Sequence, residues 1–247
     1  MDMDAVLHLL PRSGAPTPLY IHLHGAGATA LAMTPVADRF REAWPQAAHL
    51  MPDGFAPADR GAPGRHWFSL LGLTEDNRPG RVQAVLPQLA AFVREAQATL
   101  QVAAPATALV GFAQGAILAL EFAQAYPDLV GRVVAIAGRY ATLPQAAPAA
   151  VIHLVHGKED RVVPARHAID AVNRLIALGA DATADVVPGI GHEPHPALLD
   201  AAVGHLQTFL PRRMWSAAIA DAPLMATRAD SRDLAPPPAP PAANDPA

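Results

Sequence analysis

Three stretches of this sequence hold residue types whose spacing suits acyl transfer. Thr107-Ala108-Leu109-Val110-Gly111-Phe112-Ala113-Gln114-Gly115-Ala116 reads as strand, sharp turn and helix. Glycines two positions either side of Ala113 match the nucleophile-elbow spacing G-x-S-x-G everywhere except at its centre. The spacing is a steric demand: the central residue sits in a strained turn, and only small neighbours let strand and helix approach there. A helix starting at Gln114 directs its free N–H groups toward whatever that turn carries. Ala113 carries no reactive atom.

Two further pieces follow in the chain. His156-Gly157-Lys158-Glu159-Asp160 comes after the apolar run Val151–Val155, which places Asp160 in a loop at a strand's C-terminal end. Gly189-Ile190-Gly191-His192 comes after Thr183–Val187 and before the last helical pattern. Position 113, Asp160 and His192 thus run in the order nucleophile, acid, histidine. In an active version, His192 takes the nucleophile's proton and Asp160 orients the imidazole and stabilises its charged form. Glu159 is the competing carboxylate in the same loop, and His195 is the fallback base. An oxyanion needs two fixed N–H donors. The sequence offers the amide of Gln114 and, in the turn His24-Gly25-Ala26-Gly27, that of Ala26. Gly25, Trp67 and Phe68 are the candidate substrate contacts, the two aromatics as an apolar wall or, equally simply, as core anchors.

Other chemistries fit less of the chain. Gly25-Ala26-Gly27-Ala28-Thr29-Ala30 also matches the dinucleotide pattern G-x-G-x-x-A, with Asp53 after the next strand as a ribose contact. A nicotinamide-dependent oxidoreductase built on it leaves the elbow, Asp160 and His192 unexplained. Metal binding draws on eleven histidines, but His192-Glu193-Pro194-His195 is one residue short of the zincin spacing. His22 and His153 are expected to be hydrogen-bonded structural groups rather than metal ligands.

Positioning these residues requires a scaffold, and its elements are marked. Strands are expected at Leu19–His24, His49–Met51, Thr107–Val110, Val133–Ala137, Val151–Val155 and Thr183–Val187, short and apolar without strict alternation, as in a parallel sheet covered on both faces. Helical stripes run through Val82, Leu86, Leu89, Val93, Ala96 and Leu100, with a kink at Pro87, and through Ile169, Val172, Leu175 and Ile176, closed by Gly179. A third, through Leu199, Ala202, Val203, Leu206 and Phe209, starts behind Pro196. Residues from about Asp53 to Gly80 lack a period and form a long excursion of the kind that often carries function.

The 247 residues allow one α/β domain, residues 1–213, then a short helical extension at 214–230 and a disordered Pro/Ala-rich tail at 231–247. A formal net charge of −4 argues against nucleic acid as a partner. The absence of cysteine removes disulfides, thiolate nucleophiles and Cys-ligated metals. No apolar run is long enough for a membrane span, and the acidic start Met1-Asp2-Met3-Asp4 lacks a basic signal region, so a cytoplasmic protein is expected.

Gly111-Phe112-Ala113-Gln114-Gly115-Ala116, His24-Gly25-Ala26-Gly27, the Asp160 loop and Gly191-His192 together resemble the bacterial carboxylesterase/phospholipase family of α/β-hydrolases, which includes acyl-protein thioesterases. Gly64-Arg65-His66-Trp67-Phe68-Ser69, the stretch Gly72–Arg78 and the stretch Gly138–Pro144 are similar to its YpfH type in particular. The resemblance spans roughly Pro18–Pro211. It implies an α/β-hydrolase fold, a small-molecule ester (or thioester) substrate, hydrolysis without a cofactor, and the roles given above for Asp160, His192, Ala26 and Gln114. These esterases carry serine where this chain has Ala113. Three accounts of Ala113 follow, in order of preference: a deliberate Ser→Ala change that holds a ligand in an intact pocket, a natural binding pseudoenzyme, and a relocated nucleophile. The serines are Ser13, Ser69, Ser216 and Ser231, and none sits on an elbow.

Overall fold

Strands that are apolar on both sides need helices on both sides, and the chain supplies them in alternation. The computed structural model describes residues 6–211; the extension expected at 214–230 and the tail at 231–247 lie outside the described residues. The first half comprises β1 (Leu7–Leu9), β2 (Leu19–Leu23), α1 (Thr34–Ala43), β3 (Ala48–Met51), β4 (Ala56–Pro57), β5 (Arg65–His66) and α2 (Arg78–Leu100). The second comprises β6 (Thr107–Phe112), α3 (Gln114–Ala125), β7 (Arg132–Ile136), β8 (Val151–Gly157), α4 (Arg166–Ala177), β9 (Ala182–Val187) and α5 (Pro196–Thr208).

Seven strands form one sheet in the order β1-β3-β2-β6-β7-β8-β9, and β4 and β5 form a separate small hairpin. All pairings in the large sheet are parallel except β1 against β3. One face packs Leu86 and Val93 of α2, Leu118 and Phe122 of α3 and Leu175 of α4. The other packs Val36 and Phe40 of α1 with Leu198 and Val203 of α5. Each such buried side chain contributes about 1.5–3 kcal/mol of transfer free energy. This is the α/β-hydrolase arrangement, and it sets where a ligand can go. The chain leaves β2 toward β3 on one side and re-enters as β6 on the other, so the crevice opens beyond the C-terminal ends of β2 and β6.

The structure corrects several boundaries. β1 was not expected: three residues pairing antiparallel at the sheet edge leave almost no local pattern. β6 runs to Phe112 rather than Val110, and β7 stops at Ile136 because Ala137 turns out with φ 50°. α2 begins at Arg78 and continues through Pro87 to Leu100 as one helix. α5 begins at Pro196 itself, capped by His195. The excursion holds the β4–β5 hairpin, pinned by tertiary bonds. Asp59 accepts from the Ser69 hydroxyl and the amides of Leu70 and Leu71, and Arg81 donates to the carbonyls of Ser69 and Leu71.

Candidate active site

β6 delivers Ala113 to the crevice in a backbone conformation few residues adopt, φ 51° and ψ −110°, at the N-cap of α3. The flanking glycines explain how the turn closes. A Cβ on Gly115 would lie 2.0 Å from the Leu23 carbonyl oxygen, and one on Gly111 would lie 2.3 Å from that of Gly115. No other residue fits either position. β2 ends opposite, where Gly25 packs so closely that a Cβ would stand 3.1 Å from the Phe112 ring and 3.4 Å from the Ala113 methyl.

β8 and β9 deliver the other two groups. His192 Nδ1 lies 2.7 Å from Asp160 Oδ2, the carboxylate side chain fully buried and the imidazole 19% exposed. Asp160 Oδ1 accepts from the amides of Val162 and Val163, at 2.8 Å each. Burial opposes ionisation of this carboxyl, but the His192 hydrogen bond and the two amides outweigh it and hold it below its ordinary range. With Nδ1–H bound to Asp160, Nε2 is the remaining ring nitrogen, and His192 lines the same cavity as Ala113.

That cavity has a volume of about 420 Å³. Gly25, Ala26, Phe68 and Gln114 are among the residues that line it. Among the described residues, neither the Ala26 nor the Gln114 amide has a backbone acceptor, so both remain available to an oxyanion. Trp67 is placed differently. It is 1% exposed and lies outside the lining, its indole donating to the His24 carbonyl at 2.8 Å, so it anchors the excursion rather than walling the pocket.

The structure also separates the alternatives. Glu159 does not meet His192; its Oε2 accepts from the amides of Gly189 and Ile190 and so clamps the turn that carries the imidazole. His195 is spent on capping α5, accepting from Ala197 N–H. Ser69 donates to Asp59 and does not line the cavity; Ser13 lies on the Leu10–Gln46 surface, and Ser216 and Ser231 lie outside the described residues. Asp53 accepts from Ala30 N–H at 2.7 Å, and a 3₁₀ turn at Ala30–Met33 stands where a dinucleotide fold needs the start of an α-helix. His22 pairs with His49 at 3.0 Å, and His153 with Thr183 at 2.9 Å, both as structural bonds.

Four supporting features escape the sequence reading. The Gln114 side chain accepts from Trp67 N–H at 2.9 Å and donates to the Phe68 carbonyl at 2.7 Å, stitching the excursion to the elbow. His24 donates from Nδ1 to the Gly25 carbonyl and accepts from Gly54 N–H, fixing the turn of Ala26. His156 Nε2 reaches both the Val163 carbonyl at 2.7 Å and Asp160 Oδ2 at 3.1 Å; both partners accept, so Nε2 carries the proton. Burial pushes the His156 imidazole below its ordinary value, against the pull of these acceptors. Arg78, from the start of α2, lines the cavity as well. Val162, Val163 and His156 were findable by their nearness to Asp160 in the chain; Gln114 and His24 depend on contacts distant in sequence.

Comparison with known proteins places this geometry among relatives. The chain is 41% identical to the esterase YpfH of Escherichia coli (strain K12) over 202 residues, covering 81% of this chain and 87% of that protein. Among solved structures it is similar to the esterase PE8, with a TM-score of 0.74, 28% identity and coverage of 83% of this chain and 98% of that one. The Bacillus cereus carboxylesterase shares the fold at a TM-score of 0.69 and 18% identity, over 82% of this chain and 94% of that one. Residues 8–210 match the phospholipase/carboxylesterase family, to which this chain belongs.

Proposed function

We propose that the cavity is a serine-esterase centre whose nucleophilic hydroxyl is replaced by the Ala113 methyl, so that this chain binds carboxylic esters without cleaving them. In the serine form, Oγ of residue 113 attacks the ester carbonyl carbon while His192 Nε2 takes its proton. The carbonyl π electrons move to oxygen, held by the amides of Ala26 and Gln114. As the carbonyl re-forms, the ester C–O bond breaks, and the alcohol leaves with the proton from His192. Water, deprotonated by the same nitrogen, then hydrolyses the acyl-enzyme. Asp160 stays ionised throughout and balances the imidazolium.

One observation carries the reading: residue 113 holds an elbow's φ and ψ in a cavity that it shares with an imidazole hydrogen-bonded to a buried carboxylate. The esterase activity named for the relative YpfH supports it. Losing the serine of a triad costs on the order of 10⁶ in turnover, about 8 kcal/mol of barrier. The test is Ala113→Ser assayed on nitrophenyl acetate, butyrate and octanoate. A gain of at least about 10⁴-fold is expected. No gain in a folded variant overturns the reading. The second reading, a binding pseudoenzyme on the same pocket, is favoured by Ala113 itself and predicts that null result together with ligand binding.

A further inference from the structure

The walls of the cavity are largely apolar, from Phe68, Leu70, Leu73, Phe112 and Ile117. Among the polar lining groups, His192 belongs to the acyl-transfer set, and the Gln114 side chain is spent on Trp67 and Phe68. Arg78 is left over. It is the only Arg or Lys among the residues lining the cavity, and acyl transfer as described has no use for it.

Its environment leaves the guanidinium under-used. Of five N–H donors, Nη2 reaches Glu75 Oε1 at 2.6 Å, while Nε is buried with no partner. The Arg78 side chain is 15% exposed, whereas Glu75 is 64% exposed, so the anion stands in solvent and the cation inside. Glu75 is also shared. Arg139 donates to its Oε2 at 2.7 Å and to its Oε1 at 3.3 Å. The two guanidiniums hold the Glu75 carboxyl below its ordinary range, Arg139 more strongly than Arg78. Glu75 is divided between two guanidiniums, which leaves Arg78 incompletely paired at the edge of an apolar cavity. A cation in apolar surroundings is costly unless fully paired, and an acceptor brought in by a ligand would complete the pairing.

From this geometry we infer that Arg78 binds an anionic group at the far end of the ester, and that the preferred ligands are half-esters of dicarboxylic acids: an ester at one end, a free carboxylate at the other. This inference rests on the esterase reading and narrows it to a substrate class. A carboxylate is favoured over a phosphate monoester because a single guanidinium lines the cavity, and a dianion would bring uncompensated charge into an apolar pocket.

The chain as it stands permits a direct test, since with Ala113 it is expected to bind intact esters. Calorimetric titration compares monoethyl succinate, glutarate and adipate with ethyl butanoate, pentanoate and hexanoate at pH 7. At least one half-ester should bind about tenfold tighter than its neutral partner, with the preference shrinking at high salt. Arg78→Met should bring the ratio to about twofold or less, and Arg78→Lys should keep part of it, because lysine retains the charge but loses the fork. Glu75→Gln acts in the opposite direction and should tighten half-ester binding, which keeps the test decisive if Arg78→Met fails to fold. Equal binding of both series, a preference that survives Arg78→Met, or tighter binding of monobutyl phosphate than of every half-ester overturns the assignment. Ala113→Ser on a neutral nitrophenyl ester reports separately on the chemistry. A rate gain without anion preference removes this inference alone, and anion preference without a rate gain removes the esterase reading alone.

Discussion

Ala113→Gly tests whether the turn at 113 is a conformation held against its own preference. At φ 51° and ψ −110° a side-chain-bearing residue is in a region that only glycine visits freely. Residues held in such regions carry about 1–3 kcal/mol of strain, which the surrounding structure must offset. Here the restraints are the Ala113 N–H bond to Ile136 O at 3.0 Å on one side and the first turn of α3 on the other. Glycine removes the strain but widens the unfolded ensemble, at a cost of about 0.4–1 kcal/mol. The net expectation is a gain of about 1 kcal/mol, a rise of about 2–4 °C in melting temperature for a domain of this size. Urea and thermal unfolding of the two proteins measure it. Gln101→Gly is the calibration: Gln101, at φ 55° and ψ 38°, sits in the ordinary left-handed well after α2, so its gain should be smaller. If Ala113→Gly melts below the parent, the strained-elbow argument is wrong, and with it the reason for reading residue 113 as a nucleophile position.

Four other perturbations separate roles within the same frame. In an Ala113→Ser background, Asp160→Asn should lower turnover on the order of 10³–10⁴-fold, while Glu159→Ala, which only loosens the Gly189–Ile190 turn, should cost about tenfold; the reverse ranking in nitrophenyl-ester kinetics would reassign the acid. Gln114→Ala leaves the buried Trp67 N–H and Phe68 carbonyl without partners, so it should destabilise by about 2–4 kcal/mol in urea unfolding, and a loss under 1 kcal/mol would refute the stitching role. Burial lowers His49 to about 4 and His153 to about 3, against about 6.5 in an unfolded chain. The unfolded state therefore binds more protons as pH falls below about 6.5, and each histidine should remove about 2 kcal/mol of stability between pH 6.5 and 5; a flat unfolding free energy from pH 7 to 5 would contradict this.

What could be read from the sequence follows from where each constraint is written. The elbow was legible because its glycines answer a local clash, with Leu23 for Gly115 and with Gly115 for Gly111. The sheet strands were legible because burial on both faces leaves apolar runs, as in Val133, Val134, Ala135 and Ile136 of β7. Asp160 was separable from Glu159 only by family pattern, since the two are adjacent and the bonds that distinguish them, to His192 and to the Gly189 and Ile190 amides, come from a distant turn. The excursion was legible as an excursion and no further. Its order comes from bonds of Asp59, Arg81 and Gln114 that no local pattern announces, which is why the sequence leaves Trp67 open between pocket wall and core anchor and the structure places it as an anchor. β1 escaped because a three-residue edge strand of mixed exposure has too little pattern to show.

The features gathered at the cavity share a cost. A side chain at positive φ, a carboxylate with no solvent exposure, and a guanidinium donor buried without a partner each work against folding. None is needed to close the sheet or fill either core layer. On the proposed reading the first two serve acyl transfer and the third the anionic end of the ester, and alanine at 113 leaves every one of them in place. On the proposed reading, the serine oxygen is the single group withdrawn, and it contributes mainly to the transition state, where a bond forms to it. Ester binding in the ground state rests on the apolar walls, the Ala26 and Gln114 amides and Arg78, all present here. The dissociation constant of an intact ester from this chain should therefore equal that of the serine form before chemistry. That equality can be measured by comparing titration of the Ala113 chain with rapid-mixing binding to Ala113→Ser. A difference beyond about tenfold would mean that residue 113 shapes the pocket as well as reacting in it.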